Sequence, residues 1–218
     1  MNSIVQNAMR NILEEENKTY VSRARPNVAI VPINMDDLIS NMEIPYGQTL
    51  KIIRESRRLT IADVTDYLNI SPKSIWRMEA ITEKTTNIPG LRITNLYRAL
   101  SDLYGVTKEQ MCVAARKNPF VGIMMWDSFW DEEDNMLPSG KVMFILRDKK
   151  GVSRREMAER TGLLVDNISR IENKSRFSVQ NIQKMLEILK VEPIEFYDML
   201  LSESEKHKKN IKDLIIGQ

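Results

Sequence analysis

The stretch VSRREMAERTGLLVDNISRIE occupies residues 152–172, and residues 59–79 repeat its pattern. This repeated pattern decides the fold of the chain. The earlier copy reads LTIADVTDYLNISPKSIWRME and aligns with the later one without a gap. Glu79 falls on Glu172, an offset of 93 positions, and the main apolar positions stay in register. A chance match would not preserve both apolar and charged positions over this length, so the sequence predicts an internal repeat.

Short helices joined by tight turns are predicted in each copy. In copy one, a first helix over residues 49–58 precedes Thr60, a typical N-cap for a second helix. Asn69 suits the left-handed turn that ends this helix, and Ser71 is expected to cap a third helix whose first turn contains Pro72. Two helices joined by such a turn, with an apolar anchor inside the second, predict a helix-turn-helix in both copies.

On these residues, both repeats resemble the Cro/CI-type domains of phage repressors, the XRE family, over Leu50–Val106 and Met143–Phe196. Copy two carries the more familiar signature in SRREMAERTG and ISRIEN. Copy one departs from it at Thr65 and Asn69, where the family usually has Ala and Gly. The resemblance implies an all-α fold with two lambda-repressor-like helix-turn-helix domains in tandem.

The family also joins an arginine of its first helix to the glutamate that closes its third helix. Here the resemblance implies that Arg54 pairs with Glu79 and Arg147 with Glu172. We interpret both pairs as structural rather than catalytic.

The rest of the chain is predicted to add an amphipathic N-terminal helix over residues 1–17 and a short C-terminal helix. The connector between the copies holds many aromatic residues beside an acidic run. Because such side chains are hard to leave in water, we expect it to fold against one or both domains and set their orientation, with a peptide or protein dock as the alternative. The expected division is an N-terminal helix with an arm or linker (1–48), a first domain (49–113), the connector (114–139), a second domain (140–201) and a C-terminal helix (202–218).

In this family the third helix enters the major groove, and its first residues reach base edges. Lys73 and Arg77 of copy one can donate to guanine O6 and N7, while Ser74 can donate or accept. After the third helix, Val106 falls on Val191, an offset of 85 instead of 93. Copy one is therefore longer than copy two by about eight residues, which lie in Ala80–Leu91. Trp76 is expected to pack against this extra segment. The candidate DNA-binding residues in copy one are Thr60, Ser71, Pro72, Lys73, Ser74 and Arg77.

Copy two presents a different surface to DNA. Asp166 can accept from cytosine N4, and Val165 can meet a thymine methyl group. Arg154 and the residues that follow helix three can hold phosphates and fix the register. The candidates in copy two are Arg154, Val165, Asp166, Asn167, Ser169, Arg170, Asn173, Lys174 and Arg176. Because the two surfaces differ, a tandem chain that acts as a pseudo-dimer is predicted to read an asymmetric site.

Charge is segregated along the chain although the formal net charge is only +2. Residues 141–176 contain ten basic and five acidic residues, whereas residues 127–134 contain five acids and no base. A local excess of positive charge suits contact with phosphates, and it also suits an inert solvated face. Double-stranded DNA is the expected partner, and a homodimer through the C-terminal helix or the connector is left open.

Several other classes of protein are disfavoured. No run of about eighteen apolar residues predicts a membrane span, and the first residues lack the pattern of a secretion signal. With Cys112 as the only cysteine, a cytoplasmic location is expected. The single histidine, His207, and the lack of CxxC, HExxH and P-loop motifs argue against an enzyme, a cofactor and a metal site.

The sequence therefore predicts a sequence-specific DNA-binding transcription regulator, in the manner of a repressor of phage, mobile-element or bacterial origin. The alternative is a protein-binding module, such as an antirepressor or antitoxin, that uses one copy to hold a partner. Leu163–Val165 would supply an apolar patch for that partner and would leave copy two without DNA. The sequence of helix three in copy one favours DNA.

Overall fold

The computed structural model describes residues 34–88, 96–130, 132–174 and 178–216. Within these residues the chain forms twelve α-helices, one short 3₁₀ helix at Glu132–Asp134 and no strand. The predicted all-α fold is confirmed. The N-terminal helix predicted over residues 1–17 lies outside the described residues.

The helices form two series joined by one central helix. In chain order they are α1 (Met35–Ser40), α2 (Tyr46–Ser56), α3 (Ile61–Leu68), α4 (Pro72–Glu79), α5 (Leu96–Tyr104), α6 (Lys108–Ala115), α7 (Pro119–Phe129), α8 (Ser139–Lys149), α9 (Arg154–Thr161), α10 (Val165–Lys174), α11 (Val179–Leu189) and α12 (Pro193–Ile216). Helices α2–α6 belong to copy one, α8–α12 belong to copy two, and α7 lies in the connector. From Asn34 onward the described residues form one compact unit.

The second series repeats the first helix by helix. Helices α8, α9 and α10 begin 93 residues after α2, α3 and α4, which is the offset of the sequence alignment. Thr60 and Ser153 occupy equivalent N-caps, and each hydroxyl accepts a hydrogen bond from the backbone N–H three residues on. Asn69 and Gly162 end these helices with φ angles of 50° and 73°, which is the left-handed turn predicted for both copies.

The first and third helices of each copy approach backbone to backbone. Gly47 of α2 faces the backbone of Glu79 and Ile81, and Gly140 of α8 faces the carbonyl group of Ile171. An added Cβ at either glycine would overlap the neighbouring chain. The two glycines stand at equivalent positions, so the same close approach is built into both copies.

Copy one begins earlier than expected. No pattern predicted α1, whose N-cap Asn34 accepts a hydrogen bond from the Asp36 N–H at 3.2 Å. Leu38 and Ile39 are buried, and α1 packs against α2 and α6. Helix α2 begins at Tyr46 rather than at residue 49. Residues 34–48 therefore contribute to the core of copy one.

The C-terminal helix also differs from the expected one. Helix α12 runs for 24 residues from Pro193, so the segment expected as a separate helix at 202–218 continues a helix that begins in copy two. Ser204 is buried, and its hydroxyl accepts a hydrogen bond from the Leu137 N–H at 3.1 Å, which holds this part of α12 against the connector. No helix within the described ranges is both long enough and apolar enough to cross a membrane.

The connector forms a core that both copies share. Helix α7 packs against α5 and α6 of copy one and against α8 and α12 of copy two. Trp126 is 2% exposed, and its ring meets Trp130 at 5.7 Å and Tyr197 at 6.2 Å between centroids, both edge-on. Its Nε1 donates to the Leu137 carbonyl at 2.9 Å. The expectation that the aromatic connector folds against the domains is confirmed for both of them.

A lysine is buried where copy one meets the connector. Lys117 is 5% exposed, and its Nζ donates to the Leu38 carbonyl at 2.9 Å and to Thr49 Oγ1 at 2.7 Å. It therefore ties α1 to α2. Because burial removes water from the charged amine, the pKa of Lys117 falls to about 8.

Replacing Gly122 with alanine should destabilise the protein by about 1–3 kcal/mol. A Cβ at this position of α7 would overlap the ring of Tyr197. This overlap outweighs the gain of about 1 kcal/mol that alanine brings to a helix interior. Urea denaturation measures the change. In a Tyr197→Val background the same substitution should cost less, and an equal cost in both backgrounds would contradict the steric explanation.

The free energy of unfolding should depend on pH through Lys117. Its folded pKa of about 8 lies below the ordinary value of 10.5, so the cost of burying the charge is fully present below pH 8 and vanishes as the pH rises to 10.5. The wild type should therefore gain stability relative to Lys117→Met between about pH 7.5 and pH 9.5. Urea denaturation of both proteins gives this difference, in which other titrating groups cancel. A difference that stays constant with pH would rule the explanation out.

Candidate nucleic-acid interface

The third helix of each copy, α4 in copy one and α10 in copy two, is termed its reading helix after the role that the resemblance implies. The same turn orients both helices. After the left-handed residue, the Ile70 N–H donates to the Thr65 carbonyl at 3.1 Å, and the Leu163 N–H donates to the Ala158 carbonyl at 3.1 Å. These bonds close the end of α3 and of α9. The chain then enters the reading helix in the same way in both copies.

One face of α4 is anchored in the core and the opposite face is exposed. Ile75 and Met78 are each 1% exposed and hold the helix in place. Lys73, Trp76 and Arg77 are exposed. Because they are spaced by three and four residues, they share one side of the helix. The structure therefore places the predicted Lys73 and Arg77 on the same exposed face as Trp76, which was expected to be covered by the extra segment.

Trp76 is 59% exposed, so the described part of the extra segment of copy one does not bury it, contrary to expectation. The described part of that segment is held by another contact. Asn118 Nδ2 donates to the carbonyl groups of Thr82 at 2.6 Å and Thr85 at 2.9 Å. The neighbouring Ile81 is buried. The segment is thus drawn toward the start of α7, and residues 89–91 lie outside the described residues.

The capping residues of copy one are engaged within the protein. Ser71 stands at the N-cap and Pro72 in the first turn, as predicted, but the Ser71 hydroxyl faces Ser74 Oγ at 3.1 Å and makes no cap hydrogen bond. The reason is that the Ser74 N–H already donates to the Ser71 carbonyl at 2.9 Å. Thr60 Oγ1 donates to Asp63 Oδ2 at 2.7 Å. A phosphate contact by Thr60 would therefore have to displace an internal bond.

Helix α10 presents a mixed surface. Asp166 and Arg170 are exposed, while Asn167 and Ser169 are half-buried. Asn173 Nδ2 donates to Ser169 Oγ at 3.2 Å, so these two polar side chains already satisfy each other in part. Over residues 165–172, the positions equivalent to those of α4, the exposed side chains include one acid more and one cation fewer.

The beginning of α10 is apolar. Leu164 is 71% exposed and Val165 is 46% exposed. They border a shallow open depression of about 480 Å³, which is lined by Arg155, Ala158, Glu159, Gly162, Leu163, Leu164 and Val165. This surface suits thymine methyl groups or an apolar protein surface equally. The side chain of Lys174 and the whole of Arg176 lie outside the described residues.

A buried ion pair attaches each reading helix to the first helix of its copy. Arg54 Nε lies 2.5 Å from Glu79 Oε1, and Arg147 Nε lies 2.5 Å from Glu172 Oε1. The Nη2 groups add second contacts at 3.1 Å and 3.3 Å. Nη1 of each arginine donates to the backbone carbonyl five residues on. Both ion pairs implied by the resemblance are present.

Arg154, which was expected to bind phosphate, is partly engaged in an ion pair within the protein. Its Nε donates to Glu172 Oε2 at 2.7 Å, so this one carboxylate holds two arginines. The Arg154 side chain is 40% exposed. It reinforces the attachment of α10, and a phosphate contact would have to use its Nη groups.

Phe144 organises the cations beside α10. Its ring centroid lies 4.8 Å from Lys141 Nζ, 5.4 Å from Arg147 Cζ and 5.9 Å from Arg154 Cζ. Such distances allow cation–π attraction to hold the three groups together. Copy one has Lys51 at the equivalent position, so this arrangement belongs to copy two. In the described residues no group of side chains could hold a metal ion.

A comparison with protein families agrees with this geometry. The family model described as Helix-turn-helix matches residues 145–196. Residues 145–196 form a helix-turn-helix domain. The match runs from within α8, through the turn between α9 and α10, to the start of α12, and it indicates a DNA-binding regulator in general terms. It does not include copy one. No curated protein and no solved structure matches the chain.

Two features of the site were missed by sequence reasoning. The spacing of Ile75 and Met78 places both on the buried side of one helix and Trp76 away from it, but it does not tell whether the extra segment covers the indole. The contact of Arg154 with Glu172 carried no such signal, because residues 18 positions apart meet only once the helices pack.

Removal of the Glu172 carboxylate should destabilise the protein strongly. Glu172→Gln leaves Arg147 buried without a counter-charge, a situation that costs about 3–5 kcal/mol. Glu79→Gln should cost less, because Arg54 keeps a contact with Glu55 at 3.4 Å. Urea denaturation of the variants measures both losses. The control is Glu159→Gln, whose exposed pair with Arg155 should contribute less than about 1 kcal/mol, and an equal loss there would contradict the prediction.

Proposed function

We propose that this protein is a sequence-specific double-stranded DNA-binding transcription regulator whose two helix-turn-helix units read two dissimilar half-sites. One observation carries the proposal. The matched helix-turn-helix of copy two has a counterpart in copy one, helix for helix, at an offset of 93 through the first three helices and of 85 after them. Both copies expose polar residues on the third helix. Binding to a promoter where it blocks transcription would make such a protein a repressor.

Four features support a second domain of the same kind in copy one. Its helices α2, α3 and α4 stand at the positions of α8, α9 and α10. The turn after its second helix has the same left-handed residue and the same backbone hydrogen bond. The buried arginine–glutamate pair and the close-packed glycine are also equivalent. These are the contacts that fix a reading helix, so copy one has what is needed to present α4 to DNA.

The contact between the two copies supports an arrangement like that of a dimer. Tyr197 Oη donates to the Cys112 carbonyl at 3.1 Å. These residues are equivalent under the offset of 85 that relates Val106 to Val191. Equivalent residues meet across a two-fold axis, whereas a head-to-tail arrangement brings different positions together. One chain would then act as a pseudo-dimer and address half-sites about 34 Å apart.

The two half-sites are expected to differ because the exposed residues differ. Lys73 and Arg77 of copy one can each donate to a guanine in the major groove. In copy two, Asp166 can accept from cytosine N4, Asn167 suits an adenine, and Arg170 is the counterpart of Arg77. Beside Phe144, the exposed Lys141 and the Nη groups of Arg154 would add contacts to phosphate that carry no sequence information.

A protein-binding module is the second candidate, and the exposed Leu164 with Val165 favours it. An apolar patch beside a shallow depression is typical of a protein contact. In that case copy two would hold a partner while copy one alone remained free for DNA. Leu164→Asp separates the two functions, because a charge there would abolish binding of a protein and would only weaken binding of DNA.

Selection from random duplexes should recover an asymmetric site. The wild-type protein is used at a concentration where light scattering shows a monomer, and the enriched sequences are aligned. Two different half-sites about ten base pairs apart are expected, because one helical turn separates the reading helices of such dimers. A perfect palindrome bound by the monomer would contradict the proposal of two dissimilar readers.

Loss of single cations should then separate specific from general contacts. Lys73→Ala and Arg77→Ala should each weaken binding by about 1–3 kcal/mol and relax the preference at particular base pairs. The matched control is Arg170→Ala, which should act on the other half-site. Gel shifts over a series of salt concentrations measure these effects. Full function of the Lys73→Ala, Arg77→Ala double variant would instead favour the protein-binding module.

A further inference from the structure

Trp76 is the largest of the apolar side chains that are exposed in the described residues, and it lies on a reading helix. Its side chain is 59% exposed. Trp is highly buried on average in folded proteins, because its large apolar surface is unfavourable in water. No packing role within the described residues accounts for an indole at this position. Its exposure is understandable if another molecule covers it.

The neighbours of Trp76 indicate what that molecule is. Lys73 and Arg77 lie three residues before it and one residue after it, so the indole is flanked by two exposed cations. A surface with two cations and no acid on the same face suits a polyanion. In copy two the residues equivalent to Lys73 and Trp76 are Asp166 and Ser169. The cationic face with an indole therefore belongs to copy one alone.

We infer that Trp76 is a specificity-determining residue of copy one, whose indole packs on the C5-methyl group of a thymine in the major groove. The inference rests on the proposed function. The thymine methyl is the apolar group that base pairs display in this groove, and apolar side chains recognise it there. A helix in the groove meets the edges of bases, so its indole contacts a methyl group and does not stack between base pairs.

The position of the thymine follows from helix geometry. Lys73 and Trp76 are three residues apart, a spacing that is slightly less than one turn of α4 and advances about 4.5 Å. Base pairs follow one another at about 3.4 Å. The thymine selected by Trp76 should therefore lie within about two base pairs of the guanine that Lys73 contacts.

Deoxyuridine provides the test, because it pairs like thymidine and lacks only the methyl group. The probes are the duplex enriched by selection with the wild type and the same duplex with deoxyuridine in place of each thymidine of the copy-one half-site. The variants are Trp76→Ser, which introduces the residue found at this position in copy two, and Trp76→Phe. The control is Tyr67→Ser, an exposed aromatic residue of α3 whose side chain is 43% exposed.

The wild type should bind the deoxyuridine duplex more weakly, by roughly fourfold for each methyl group that Trp76 covers. Trp76→Ser should weaken binding to the thymidine duplex by about tenfold and should bind both duplexes alike. Trp76→Phe should keep part of the difference. Tyr67→Ser should behave as the wild type does. Because Trp76 is exposed, the variants should unfold at the same urea concentration as the wild type.

The possible failures are distinguishable. If Trp76→Ser binds as tightly as the wild type, or remains equally sensitive to deoxyuridine, while Lys73→Ala still loses affinity, the inference is wrong and the proposed function stands. A copy-one half-site without thymine within two base pairs of the guanine would also overturn the inference. If selection enriches no duplex, the proposed function fails and the inference fails with it.

Discussion

Each reading helix carries, at or near its C-terminal end, a glutamate whose carboxylate is buried against an arginine of the first helix. In a poorly hydrated site a single charge would cost several kcal/mol, so Glu79 and Glu172 can be accommodated only where an arginine meets them. The geometry is bidentate in both copies, and it sets the distance between the first and third helices. Gly47 and Gly140 permit that distance because a larger residue would collide with the neighbouring backbone. The exposed face of each reading helix follows from these two constraints.

The same framework carries different surfaces in the two copies. Copy two adds Arg154 to the buried carboxylate and gathers cations around Phe144, so its positive charge is concentrated beside the reading helix. The reading helix itself begins with apolar residues and carries Asp166. Copy one has fewer fixed cations around the helix, but the helix displays Lys73, Trp76 and Arg77 together. In the proposed function the two copies therefore have different roles. Copy one has more side chains that distinguish bases, and copy two has more that hold phosphates.

The connector explains why the two copies pack within one unit. Helix α7 is buried between them, and its aromatic residues pack against helices of both. The bond from Tyr197 to the Cys112 carbonyl joins equivalent positions directly. A covalent tandem with a shared core does not depend on protein concentration for its assembly, whereas a dimer of separate chains does. In the proposed function this lets the two copies diverge, because neither has to match a second identical chain.

The sequence by itself determined the repeat, the all-α fold, the caps and turns of the helix-turn-helix, and the partners Arg54 with Glu79 and Arg147 with Glu172. These features depend on local backbone preferences or on an alignment of the chain with itself and with a family. Preferences and alignments can both be obtained from the order of the residues alone. The exposure of Trp76, the burial of Lys117 and the contact of Arg154 with Glu172 were decided by the tertiary structure. Each of them depends on which distant segment comes to cover or approach a side chain. The extra segment of copy one was expected to cover Trp76, but Asn118 binds the carbonyl groups of Thr82 and Thr85 in its described part, and the indole stays 59% exposed. Such a choice between two burial sites depends on packing throughout the unit, and no local pattern encodes it.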